Sequence, residues 1–315
     1  MLKRRPVVGV VGLSGQSVFM EVDHFHAPGE TLTAHSIGME PGGKGFNQAV
    51  AARRLGAEVR FLTMLGDDEF GRQCESRLVR EEVSTRIVRS GFPTAFASIL
   101  TDAAGDNRVT VYPGGAEGMT GDSVEANSGW LSGCDALLIQ LEYPWHCAEA
   151  VLRLAARRGI PAILNPAPAH RIPLEQLRRF DAILPNLQEA GALLGVEAKS
   201  MALAPLAAAL RRAELPRAVV TLGGGGALEM DEASAFHWAC PHAKVVDTTG
   251  AGDTFCAAYA VKTAEGAPRS AAVAFALKAA SRSVEHARVL DGLPYCRQIT
   301  EPDQYARVRI EPGNP

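Results

Sequence analysis

The sequence predicts an α/β fold with a mainly parallel central sheet, and three observations carry that prediction. Short apolar runs alternate with longer helical patterns, the runs are apolar throughout, and glycine-rich segments fall where runs end and helices begin. The runs are 7–12, 58–65, 135–141, 160–165, 181–185 and 217–222. A strand covered by helices on both faces has no solvent side, so continuous apolarity is what its burial demands.

Helical patterns occupy 44–55, 68–82, 144–158, 187–194, 202–212, 251–265 and 269–285, many ended by Gly or followed by Pro. Segments 15–41 and 94–112 break the rhythm. In the second, the alternating runs 95–101 and 108–112 flank Asp102-Ala103-Ala104-Gly105-Asp106, a hairpin pattern. Both are expected in a small antiparallel sheet, a lid of about 13–42 and 94–113 over a site, within one domain spanning 1–315.

The bulk properties exclude several classes. Hydrophobic residues make up 47% and charged residues 21% of 315, which is globular and neither disordered nor coiled-coil. A net charge of −3 gives no electrostatic reason for a nucleic-acid or anionic-membrane partner. The compact basic run Lys3-Arg4-Arg5 precedes no signal-like apolar stretch, so a cytoplasmic location is expected. Six dispersed cysteines without a C-x-x-C pair read as reduced thiols, and His24 and His26 lack a third metal ligand.

Chemistry concentrates in Asp247-Thr248-Thr249-Gly250-Ala251-Gly252-Asp253-Thr254-Phe255, ahead of a helical run. Small residues at 250–252 let backbone N–H groups at a helix start approach an anion, where the helix dipole favours negative charge. A carboxylate at Asp253 would repel a merely bound phosphate but suits removal of a proton from an attacking hydroxyl. Local residue chemistry also allows an ordinary helix start with an Asp in its first turn.

That nine-residue segment resembles the C-terminal signature of the ribokinase-like (PfkB) carbohydrate kinase family. The resemblance implies a three-layer α/β/α domain with a small β-sheet lid, and phosphoryl transfer from ATP. It also implies that Gly250, Ala251 and Gly252 form an anion hole and that Asp253 is the catalytic base. Pro41-Gly42-Gly43-Lys44-Gly45-Phe46-Asn47-Gln48-Ala49, with Gly66-Asp67-Asp68 downstream, resembles the family's N-terminal signature. There Gly42, Gly43, Lys44 and Asn47 would contact the acceptor sugar; read alone, the glycines fit a tight packed turn equally well.

Further pieces follow in the family's order. Glu142 is similar to a family carboxylate that hydrogen-bonds the sugar, and Asn165-Pro166-Ala167-Pro168 resembles a typical turn. Asn186 and Glu189 match an Asn-x-x-Glu motif associated with Mg²⁺ and phosphate through ordered water; an acidic helix N-terminus would look the same. Thr221-Leu222-Gly223-Gly224-Gly225-Gly226 resembles the ATP-binding loop, implying ATP contacts at Asn186, Thr221, Gly223 and Gly225. Asp247 and Thr249 retain the beginning of a K⁺ site, whose remainder is altered at 286–292.

The acceptor end departs from the family. Ribokinases carry Asn-x-Asp after the first strand, whereas Gly15 and Ser17 stand there; Gln16, Glu21 and Asp23 are nearby polar groups. The expected reaction is therefore phosphorylation of a small carbohydrate, ribose or a related sugar, by a homodimer paired through the lid sheet. Rival readings are a nucleoside or sugar-phosphate kinase of the same family and a non-catalytic sugar- or nucleotide-binding regulator. A dehydrogenase is disfavoured because the first strand leads into Gly12-Leu13-Ser14-Gly15 rather than G-x-G-x-x-G.

Overall fold

A computed structural model describes residues 4–198, 201–215, 217–231, 233–299 and 307–310; Lys3 of the basic run lies outside them. Its strands are β1 (Val7–Val11), β2 (Gly15–Glu21), β3 (Ser36–Gly42), β4 (Glu58–Gly66), β5 (Ser84–Ser90), β6 (Ala95–Thr101) and β7 (Asn107–Tyr112). They continue as β8 (Ala136–Ile139), β9 (Ala162–Leu164), β10 (Ala182–Ile183), β11 (Val219–Thr221), β12 (Ala227–Met230), β13 (Ala235–Trp238) and β14 (Arg307–Ile310).

The central sheet runs β10-β9-β8-β1-β4-β5 with every pairing parallel. Its apolar strands serve two cores at once. Val7 and Val11 of β1 and Leu137 and Ile139 of β8 enter one core with Val151, Leu154, Leu206 and Leu210 from helices Trp145–Arg158 and Leu203–Arg212. Val8, Val10, Ala136 and Leu138 enter the other. There they meet Phe46, Leu78, Phe255, Val261 and Leu277 from helices Lys44–Arg54, Glu69–Arg80, Ala251–Ala264 and Arg269–Ser283. Period-two alternation between two buried faces is the physical basis of the three layers.

All seven helices expected from sequence are present, with ends shifted by a few residues. The strand run 217–222 differs in its partnering. β11 joins β10 through the parallel bridges Ile183↔Ala218 and Asn186↔Thr221, then pairs antiparallel with β12, which leads on to β13 and β14. These last three strands, and the edge strand β5, lack a strong sequence signal. In β5, exposed or half-exposed Arg86 and Arg89 interrupt the apolar pattern, since an edge strand needs only one partner and part of one buried face.

The four strands of the small sheet fall inside both segments assigned to it, in the order β3-β2-β6-β7. Both outer pairs are antiparallel as expected, and the central β2–β6 seam is parallel. Asp68 ties this sheet to the body: it caps helix Glu69–Arg80 by accepting from the Gly71 N–H (2.8 Å) and also accepts from the Thr94 N–H (2.6 Å) just before β6. Chain order brings β1 to the middle of the central sheet, with β4 and β8 on opposite sides. The crevice beyond the C-terminal ends of those strands is where such sheets bind ligands.

Candidate active site

Two helix N-termini meet in that crevice. Helix Lys44–Arg54 begins after Gly43 (φ 95°) and helix Ala251–Ala264 after Gly250 (φ 80°), the positive φ that favours glycine. At Gly250 a Cβ would also lie 2.6 Å from Val289 Cγ1. Ala251, Gly252 and Asp253 form the first turn, whose N–H groups have no acceptor within the helix. Gly252 differs from Gly250, because a Cβ there would meet nothing within 4 Å. Packing within the protein does not demand glycine at 252; an approaching ligand would.

Asp253 is only 8% exposed, and both its oxygens accept hydrogen bonds. Asn47 Nδ2 donates to Oδ2 at 2.9 Å and Gln48 Nε2 to Oδ1 at 3.0 Å. Sequence separations of 206 and 205 residues lie behind these two contacts. Asn47 Oδ1 is buried without a partner.

Lys44 and Glu142 sit beside this pair. The Lys44 N–H donates to Glu142 Oε2 at 2.8 Å, joining the end of β8 to the helix start. The Asp253 carboxylate, and then Glu142 and Glu189, hold the Lys44 ammonium above the ordinary lysine range despite burial. Burial drives the Glu142 carboxyl up to about 7, opposed by Lys44 and reinforced by Asp253.

Asn186 and Glu189 form a capping box. Asn186 Oδ1 accepts from the Glu189 N–H (2.8 Å), and Glu189 Oε2 accepts from the Asn186 N–H (2.8 Å). Burial raises the Glu189 pKa. The helix-cap reading of this motif is thus correct, yet both side chains also line a cavity of about 200 Å³ with Lys44, Thr221, Gly252 and Asp253. That cavity shares Asn186, Thr221 and Gly252 with a larger cleft of about 510 Å³, walled by Gly223, Gly224, Gly226, Val245, Ala251, Phe255 and Ser281.

The remaining candidates sit at the margins. Gly42 ends β3 beside Ser17, whose Oγ would be 2.9 Å from a Cβ at 42. The Gly225 carbonyl accepts from His237 Nε2 (2.7 Å), so Gly224 and Gly226, rather than Gly225, wall the cleft. Asp247 and Thr249 line neither cavity. Asp247 Oδ1 accepts from the Thr249 N–H (2.8 Å) and Oδ2 from the Arg288 N–H (3.2 Å), while Thr248 reaches the cleft wall. Gln16 follows its register partner Phe96 to the face that stacks on Phe70, away from the face that carries Ser17, and Asp23 is exposed and bonded to His35. All six cysteines are free, and no group of three metal-ligating side chains occurs among the described residues.

Sequence reasoning missed the support behind Asp253. Gln48 Nε2 also donates to Asn165 Oδ1 (3.1 Å), and Gln140 Nε2 donates to Gln48 Oε1. Gln48 lay inside a quoted motif, but nothing local says that its amide reaches residues on three other elements. Cys256 lines the smaller cavity as well, with burial keeping its thiol pKa well above the ordinary value.

Comparison with known proteins agrees with this geometry. The family model described as pfkB family carbohydrate kinase matches residues 8–295. The chain is 33% identical over 293 residues to the ribokinase of Bacillus subtilis, covering 93% of this chain and 97% of that protein. It is 34% identical over 257 residues to the bifunctional ribokinase/ribose-5-phosphate isomerase A of Fructilactobacillus sanfranciscensis, 80% of this chain but only 47% of that protein. A solved Arabidopsis thaliana ribokinase, complexed with ribose and ATP, superposes with a TM-score of 0.83 at 27% identity over 94% of this chain and 98% of that one. The α/β/α layering, the small sheet and the two glycine-led helix starts are therefore those of an ATP-dependent carbohydrate kinase, and the chain belongs to the pfkB family.

Proposed function

We propose that the protein transfers the γ-phosphate of ATP to a hydroxyl of a small carbohydrate, ribose or a related sugar, with Asp253 as general base. The observation that carries this reading is the buried Asp253 carboxylate in the smaller cavity, next to the open Gly252 that both cavities share. A binding protein needs no base at that point. The larger, more apolar-walled cleft suits a nucleotide base and ribose, with Asn186, Thr221 and Gly223 along it. The N–H groups at 250–252, around the start of helix Ala251–Ala264, suit the charge on the transferring phosphoryl group.

Asp253 takes the proton of the acceptor hydroxyl as its oxygen bonds to the γ-phosphorus and the bond to the bridging β,γ-oxygen breaks, releasing ADP. Gly42, Gly43, Lys44, Asn47 and Glu142 surround the place from which that hydroxyl arrives. The unpartnered Asn47 Oδ1 is suited to accept from a sugar hydroxyl. The Arabidopsis relative holds ribose and ATP, the same two ligand classes.

The charge inventory supports a divalent cation. Asp253, Glu142 and Glu189 converge around the single ammonium of Lys44, and a triphosphate would add further negative charge. Mg²⁺ would offset that charge, held by phosphate oxygens and by Glu189 through water. Asp247 and Thr249 would offer oxygens to K⁺, although both Asp247 oxygens already accept backbone N–H groups. K⁺ stimulation is therefore expected to be weak.

The small sheet would act as the lid. Its face carrying Ser17, Glu40 and Val111 turns toward the body, where Glu40 Oε1 accepts from the Val289 N–H (3.2 Å). Exposed Ile37 and Met39, on the opposite face, support pairing of two lids in a homodimer. The assignment is tested by ADP release with Mg·ATP against pentoses, hexoses, sugar phosphates and nucleosides, with and without K⁺. A pentose or hexose response supports it; release with none of them favours a regulator.

A further inference from the structure

Gln48 is completely buried one turn into helix Lys44–Arg54, yet both polar atoms of its amide bond to other elements. Its Nε2 donates to Asp253 Oδ1 and to Asn165 Oδ1, and its Oε1 accepts from Gln140. Asn165 is itself fixed, donating to the Leu184 carbonyl at 3.0 Å. The amide is thus held from the ends of β8 and β9 and cannot turn without stranding a buried polar atom. A carboxylate or ammonium at 48 could not both donate and accept in this way.

The other oxygen of Asp253 is held differently. Asn47 Nδ2 reaches Oδ2, but Asn47 Oδ1 has no partner, so its amide lacks the anchoring on a further element that holds the Gln48 amide. One carboxylate oxygen is locked and its twin is held less firmly. Rotation about the terminal carboxylate torsion is otherwise soft, with broad minima.

We propose that Gln48 is the positioning residue for Asp253, locking Oδ1 so that Oδ2 faces the acceptor hydroxyl and receives its proton. The proposal rests on Asp253 being the base, and its test separates the two ideas. Gln48→Leu removes the lock at nearly constant volume, whereas Gln140→Leu breaks the same buried chain one link farther from Asp253. Gln48→Leu is expected to lower kcat roughly ten- to a hundredfold with the KM for ATP within about twofold. Gln140→Leu is expected to lower Tm by a similar amount but keep kcat within about threefold. Equal kcat losses in the two variants, or none in Gln48→Leu, would overturn the proposal.

A crystal structure of Gln48→Leu gives a readout that does not need activity. An Asp253 carboxylate plane rotated by more than about 30° from that of the unsubstituted protein supports the proposal, and an unchanged plane overturns it. If the unsubstituted protein phosphorylates nothing, the base assignment falls. The carboxylate orientation then decides by itself whether Gln48 holds Asp253.

Discussion

The proposed transfer end and the proposed acceptor end of this site are built on different principles. Around Asp253 the polar side chains are cross-bonded: buried Gln48 and Asn165 link elements far apart in sequence, and buried Glu189 closes a reciprocal cap with exposed Asn186. The acceptor end is roofed by a four-stranded sheet with exposed apolar residues on both faces. Gly15 there is packed so closely that a Cβ would lie 2.5 Å from the Ala95 carbonyl oxygen across the parallel seam. Position 15 is closed to any side chain unless the β2–β6 seam shifts. The buried side chains around Asp253 are preorganised by their mutual hydrogen bonds, whereas the small sheet is held by strand pairing and leaves apolar side chains in solvent.

The sharpest way to break this contrast is Asp253→Asn, expected to lower turnover at least about a hundredfold while ATP affinity stays within a few-fold, read by ADP release and calorimetry. Near-normal turnover would remove the base from the transfer end. Gly252→Ala follows. Its methyl meets no protein atom, so stability should hold or rise by about 0.4–1 kcal/mol, while ATP binding weakens tenfold or more if the space belongs to phosphate. An alanine enzyme with unchanged KM for ATP would sink the anion-hole reading.

Ser17→Asp tests the acceptor end. If the lid closes as in ribokinases, the added carboxylate should lower the KM for ribose by roughly tenfold, about 1–3 kcal/mol of hydrogen bonding. No change would mean that Ser17 stands away from the sugar.

Glu142 links the two ends and gives a pH signature. Its folded-state pKa, about 7, lies above the ordinary carboxylate value, so the folded protein binds this proton more tightly than the unfolded chain. That contribution is fully present below about pH 4.5 and is lost as pH rises through about 7. Denaturant titrations should show Glu142→Gln removing a decline on the order of 1–3 kcal/mol between pH 5 and 8. The smallest effect on folding is expected from Ile37→Asp with Met39→Asp, about 0.5 kcal/mol or less, though sedimentation should shift from dimer to monomer.

The legibility of these two ends from sequence also differs, for a physical reason. Helix starts and strand-end glycines are local devices, since a positive φ or a cap is set by one residue and its neighbours. Gly43, Gly250 and the Asn186–Glu189 cap were therefore readable in place. Strands β12, β13 and β14 were not, because a strand of four residues is too short to carry a periodic signal. The hairpin of β6 and β7 was legible from its turn, but the parallel β2–β6 seam joins segments whose pairing no local pattern specifies.

By itself the sequence determined the layered α/β architecture, the two glycine-led helix starts and the carboxylate beside one of them, because periodicity, caps and backbone freedom act within a turn or two of chain. Only the tertiary structure decided which side chains meet. It set Asn47 and Gln48 on opposite oxygens of Asp253, turned Gly225 to His237 instead of the cleft, and closed position 15 against Ala95. Each of those contacts depends on strand order and helix packing across the whole sheet, and no local rule encodes them.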